Sequence, residues 1–145
     1  MKTRITLIFL SILFLGSCGS SKVAKKDSSD LQGKMIGTWK CVDPSYPYLT
    51  QIKQINETHF IWVTYHIATD IVGRGAGGTC SFEGNTYTEN IEYSVLDGMK
   101  EYIGTKAVYD VRFEKEDKIM YIMGKIDNDW FIMEKWEKIE SGKHI

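Results

Sequence analysis

The sequence has no excess of charge of one sign. Its 145 residues hold 18 basic and 19 acidic side chains, a formal net charge of −1. A nucleic-acid binder carries a clustered positive footprint, and none is visible here. The basic residues are interleaved with acids, as in Glu114-Lys115-Glu116-Asp117-Lys118, the pattern of a solvated surface. Long hydrophobic runs are lacking too. The longest, Ile5 to Gly16, is too short to cross roughly 30 Å of hydrocarbon as a helix. Proline is scarce: Pro44 and Pro47 fall in one loop. From Gly33 onward no stretch shows a sustained helical period, which argues against a helical domain.

What is present is a normal globular share of apolar residues, 43%, and many aromatics: eight Tyr, four Trp and six Phe. These bulky rings favour pleated, half-buried surfaces. The length suits one domain.

The N-terminus has the layout of an export signal. Lys2 and Arg4 precede the apolar run, which ends in Leu15-Gly16-Ser17-Cys18. This ending resembles the bacterial lipobox. The resemblance implies cleavage before Cys18, acylation of that residue, and membrane lipid as its partner; more than one acyl chain gives stable anchoring. Residues 1–17 are then a signal peptide. Their removal takes Lys2 and Arg4, leaving 16 basic against 19 acidic residues, a net charge near −3. Gly19 stands where an inner-membrane retention signal has Asp, so the expected address is the outer membrane of the cell envelope. Residues 18–32, rich in Ser, Lys and Asp, are expected to be a lipidated flexible tether.

Residues 33–140 are a train of short β-rich runs: 35–42, 49–55, 58–67, 76–83, 86–94, 104–115, 117–126 and 129–139. Asn56-Glu57, Gly84-Asn85, Glu116-Asp117 and Asp127-Asn128 supply tight turns. Alternation is clearest at 86–94, where Tyr87, Glu89, Ile91 and Tyr93 share one face. Ala107, Tyr109, Val111 and Phe113 share another, as do Trp130, Ile132, Glu134 and Trp136. In run 58–67 the expected inward set is Phe60, Trp62, Thr64 and His66. About eight antiparallel strands in consecutive hairpins, with one wet and one dry face, must stack or close. The expected fold is a single up-and-down β-barrel, which removes exposed edges and encloses side chains or one small ligand.

Gly37-Thr38-Trp39-Lys40 opens the first run and resembles the Gly-x-Trp signature of the lipocalins and fatty-acid-binding proteins, the calycin group. The resemblance implies that Trp39 closes the barrel floor against a basic residue near the C-terminus, for which Lys138 is the match. Gly77-Gly78-Thr79-Cys80-Ser81-Phe82, Tyr87-Thr88-Glu89 and the closing Glu134-Lys135-Trp136 are similar to a family of lipocalin-like lipoproteins of gram-negative bacteria. Two departures matter. No Arg-x-Tyr pair is present late in the chain to grip a carboxylate, and Val42–Tyr48 is too short for a two-helix lid.

The expected cavity lining is Trp62, His66, Tyr87, Glu89, Tyr93, Tyr109, Trp130 and Glu134. The two inward glutamates must find partners or take up a proton. They suit recognition of hydroxyls or a cation, or they are simply tied to neighbouring side chains. As a pair they also permit glycoside hydrolysis at a suitable separation, the less favoured reading. The glycine run Gly73–Gly78 opens onto a strand rather than a helix, so it is read as a flexible loop at the barrel mouth, not a phosphate cradle. His59, His66 and His144 do not make a metal set, since the first two have opposite strand parity. Cys41 and Cys80 have inward parity and either pair or remain buried thiols. The expected function is the binding of a small, partly apolar ligand, with no cofactor, no metal, no nucleic-acid partner and no enzymatic role. The alternative is an interaction or structural protein with a filled barrel.

Overall fold

The structure is a computed structural model that describes residues 28–42, 47–69, 71–95, 97–127, 130–140 and 142. The signal segment 1–17, Cys18 and His144 lie outside the described residues. A short helix, α1 (Ser28–Met35), precedes eight strands: β1 (Gly37–Val42), β2 (Leu49–Ile55), β3 (His59–His66), β4 (Ile71–Glu83), β5 (Thr86–Ser94), β6 (Lys106–Glu114), β7 (Ile119–Ile126) and β8 (Trp130–Lys138). Each strand pairs antiparallel with the next, and the order closes into an up-and-down barrel, β1 to β8.

Closure rests on a short seam. Trp39 pairs with Lys138 and Lys40 with Glu137, and the Ile139 amide donates to Thr38 O at 2.8 Å. Helix α1 forms where a tether and a strand lead-in were expected. Its apolar content is two side chains one turn apart, Leu31 and Met35, both buried. Eight residues are too few to be stable alone, so packing and anchors must hold it. Gln32 Nε2 donates to Glu57 O at 3.3 Å, Lys34 pairs with Asp117 at 3.8 Å, and Lys138 Nζ donates to Lys34 O at 3.2 Å. These contacts draw α1 to the barrel end that carries the β2–β3 and β6–β7 turns. There Met35, Trp39, Tyr87, Met120 and Trp136 are fully buried and form a packed floor.

Strand β4 is five residues longer than expected, because Gly73–Gly78 is strand rather than a mouth loop. Two irregularities explain how. Thr64 faces Arg74 while Tyr65 faces Val72, leaving Gly73 as an extra residue. Gly77 faces Tyr93 while Gly78 faces Ile91, leaving Glu92 extra on β5. Such bulges sharpen twist and curve the sheet. A β-carbon on Gly78 would collide with Asn90 O, so only glycine allows this close approach.

The second bulge also corrects the expected inward set. The extra residue reverses the alternation after Ile91. Tyr93 therefore points outward and is 49% exposed, while Ser94 shares a face with Ala76, its register partner. No disulfide joins Cys41 and Cys80.

Trp39 donates its indole N–H to Met35 O at 2.8 Å, lies 6.1 Å from the Phe113 ring, and has Lys138 Nζ 5.1 Å above its ring. Trp39→Ala is therefore expected to lower stability by about 3–5 kcal/mol. Thermal unfolding checks this, and an unchanged midpoint would contradict the floor role.

Candidate functional site

The barrel interior changes character along its axis. At the floor, rings pack on rings. Tyr87 lies 5.4 Å from Phe82 and 6.0 Å from Tyr109. Above them sits a buried ion pair, Lys53 Nζ to Glu89 Oε1 at 2.8 Å, with both side chains about 3% exposed. Tyr109 donates its hydroxyl to the other Glu89 oxygen at 3.4 Å. The Lys53 ammonium also faces rings, 5.0 Å from Trp136, 5.8 Å from Tyr109 and 5.9 Å from Phe60. Burial works against the lysine's charge, but the carboxylates of Glu89 and Glu134 outweigh it and raise its pKa. Burial, then Glu89, pushes the hydroxyls of Tyr87 and Tyr109 well up, and the Cys80 thiol to about 11. The lysine is thus a cation, and the tyrosines and thiol around Glu89 stay neutral.

The β2 pattern places Lys53 here. Gln51, Lys53 and Ile55 share parity, and Lys53 lies opposite Trp62 across the β2–β3 ladder. Glu89 lies opposite Cys80 and Ala107. Glu134 arrives on β8, two residues before Trp136, whose indole N–H donates to Glu134 Oε2 at 3.0 Å.

A cavity of about 440 Å³ lies above the ion pair. Lys53, Glu89 and Trp136 form its deep end. Trp62, Ile91, Ile126 and Ile132 give apolar wall, and Gln51, Thr64 and Glu134 give polar wall. Arg74, exposed, also lines it, on the same strand parity as Ala76 and opposite Thr64. Its side chain makes no ion pair or hydrogen bond among the described residues. The polar groups are few and convergent against apolar walls, as in small-molecule sites generally.

Of the residues expected to line a cavity, Trp62, Glu89 and Glu134 do so. Tyr87 and Tyr109 point inward but are packed into the floor. His66 lies beyond Thr64, with its ring 5.5 Å from Tyr48 and its Nδ1 buried without a hydrogen-bond partner among the described residues. Tyr93 is outside the barrel. The side chain of Trp130 lies outside the described residues. Strand alternation in the sequence does not mark Lys53 as inward. The signal for it was indirect: two inward carboxylates call for a cation. Gly37 has φ +143°, and a β-carbon there would press on Lys138 Cε at 3.1 Å; it leaves room for the lysine that covers Trp39.

The two glutamates are not equivalent. Glu89 is held by Lys53 and Tyr109. Among the described residues Glu134 accepts one hydrogen bond, and it borders the cavity. Burial raises the Glu134 pKa, the Glu89 charge adds to the rise, and Lys53 and the Trp136 N–H offset only part of it. Because Glu89 is tied up as an ion pair, the two do not form the free acid–base pair that glycoside hydrolysis needs.

The chain matches no family model, no curated protein and no solved structure. What stands is a class: a closed, eight-stranded antiparallel barrel with a packed floor, a charged middle layer and a hollow above it.

The raised Glu134 pKa carries a pH signature. The folded state holds this proton more tightly than the unfolded chain does. The associated stability is fully present below the ordinary carboxylate pKa and is lost as pH rises through the raised value. Glu134→Gln does not titrate and still accepts from Trp136. It is expected to raise the thermal midpoint near neutral pH, with the gain shrinking toward about pH 4. A difference from the parent that is constant with pH would contradict this.

Proposed function

We propose that the chain is a lipid-anchored envelope protein whose barrel holds a small, partly apolar ligand. The observation that carries the binding half is the cavity. Its 440 Å³ falls within the roughly 300–1,000 Å³ of small-molecule sites, and it ends on the Lys53–Glu89 pair beside the Trp136 ring. Glu134 supports the same reading. A half-buried carboxyl with a raised pKa is a stability cost of the kind found at functional sites.

The anchor half rests on Leu15-Gly16-Ser17-Cys18 and the apolar run before it. Gly19 favours the outer membrane as the address. Kinship with the calycin group is supported by Gly37, by the tryptophan it precedes, and by Lys138 lying over that ring. In this reading acylation holds the barrel at a membrane surface, where apolar ligands are concentrated.

Each half has its own test. Cys18→Ala is expected to move the protein from the membrane pellet to the soluble fraction; a variant that still sediments with membranes would remove the anchor. Native mass spectrometry of the protein purified from its own host is expected to show a small-molecule adduct. A bare chain mass, with no saturable binding of an apolar probe, would count against the ligand.

A further inference from the structure

We infer that the cavity selects a ligand bearing a protonated amine, with Glu134 as the carboxylate that receives it. The inference deepens the ligand-holding reading and rests on it.

Charge balance is the first support. The deep end of the cavity places two carboxylates, Glu89 and Glu134, around one ammonium, Lys53. The lysine bonds Glu89 at 2.8 Å, and its hydrogen bonding is not shared with Glu134 among the described residues. With both acids ionised, this deep-end cluster carries one surplus negative charge in a partly desolvated hollow; the other cation on the lining, Arg74, is exposed and makes no ion pair with it among the described residues. Such a surplus charge takes up a proton or finds a cation. A ligand ammonium supplies that cation.

Geometry is the second. Glu134 Oε2 accepts from Trp136 Nε1 at 3.0 Å, which fixes the carboxylate plane. Oε1 accepts no hydrogen bond among the described residues, and the residue faces the cavity. An ammonium N–H donating to Oε1 would make a charge-assisted bond, the strong kind. Its organic body would then lie along Trp62 and Ile132, and indole faces attract a neighbouring cation.

The third is polarity along the axis. Arg74 stands exposed on the lining without an ion pair among the described residues. A cation near the opening disfavours a ligand lying amine-outward and accepts one lying amine-inward. The two charged side chains thus orient the ligand as well as select it.

The test is a matched series of n-octylamine, 1-octanol and octanoate, titrated calorimetrically into the full chain near neutral pH, where the amine is protonated. The expected result is that the amine binds about tenfold or more tighter than the alcohol and the carboxylate, the scale of one charge-assisted hydrogen bond. In Glu134→Gln the amine's advantage over the alcohol should be lost. Equal or tighter binding of octanoate overturns the inference, as does an amine preference that survives in Glu134→Gln. The parent series decides by itself if that variant does not fold: alcohol binding without an amine preference defeats the amine inference alone. Binding of none of the three defeats the ligand-holding reading, and the amine with it.

Discussion

The ion pair between Lys53 and Glu89 sets the terms for the rest of the interior. Two charges almost fully removed from water are expensive, and their attraction compensates only with good geometry and further hydrogen bonds. Here the geometry is a 2.8 Å contact, a tyrosine hydroxyl on the second carboxylate oxygen, and three rings around the ammonium. The pair lies between the packed rings of the floor and the cavity above. It therefore divides the barrel. Below it the core is closed by indoles, phenols and methionines. Above it the wall must stay partly polar, and the space stays open.

The floor is secured by an analogous device on a smaller scale. Lys138 covers one face of Trp39 and donates to the end of α1, while the indole N–H of Trp39 bonds the last helical carbonyl. One lysine and one tryptophan thus join the first strand, the last strand and the helix. This matters because the β1–β8 ladder is short, and a short ladder alone would be a weak place to close a sheet. Lysine's compact ammonium makes this contact without the flat stacking that an arginine would add.

Much of the fold was legible because hairpin spacing and strand alternation are local. Eight runs, their order and the inward parity of Trp62, Glu89, Glu134 and Trp136 follow from periods of two. The misreadings come from features that a period cannot show. Helix α1 has two apolar side chains, Leu31 and Met35, too few to register as a helical face. In Gly73–Gly78 only Arg74 and Ala76 carry side chains, too few to show an alternation, so the segment reads as loop, although β3 and β5 hold it in the sheet. Alternation puts Tyr93 inward because nothing in TYTENIEYS marks Glu92 as the bulged residue; the close approach of β4 at its glycines goes with the slip. Lys53 sits in LTQIKQI, where neither face is clearly apolar. Its place inside becomes visible only when the carboxylates of two distant strands, β5 and β8, are brought to it.

Lys53 and Glu89 act as a coupled buried pair, not as two charges that happen to be close. A double-mutant cycle measures this directly, using Lys53→Met, Glu89→Leu and the double variant in chemical unfolding. Each single change strands one buried charge and is expected to cost about 3–5 kcal/mol, while the double variant recovers much of that loss. The coupling energy should then be at least about 2 kcal/mol. Strictly additive losses would show that the pair does not hold the interior together, and the division of the barrel into floor and hollow would lose its cause.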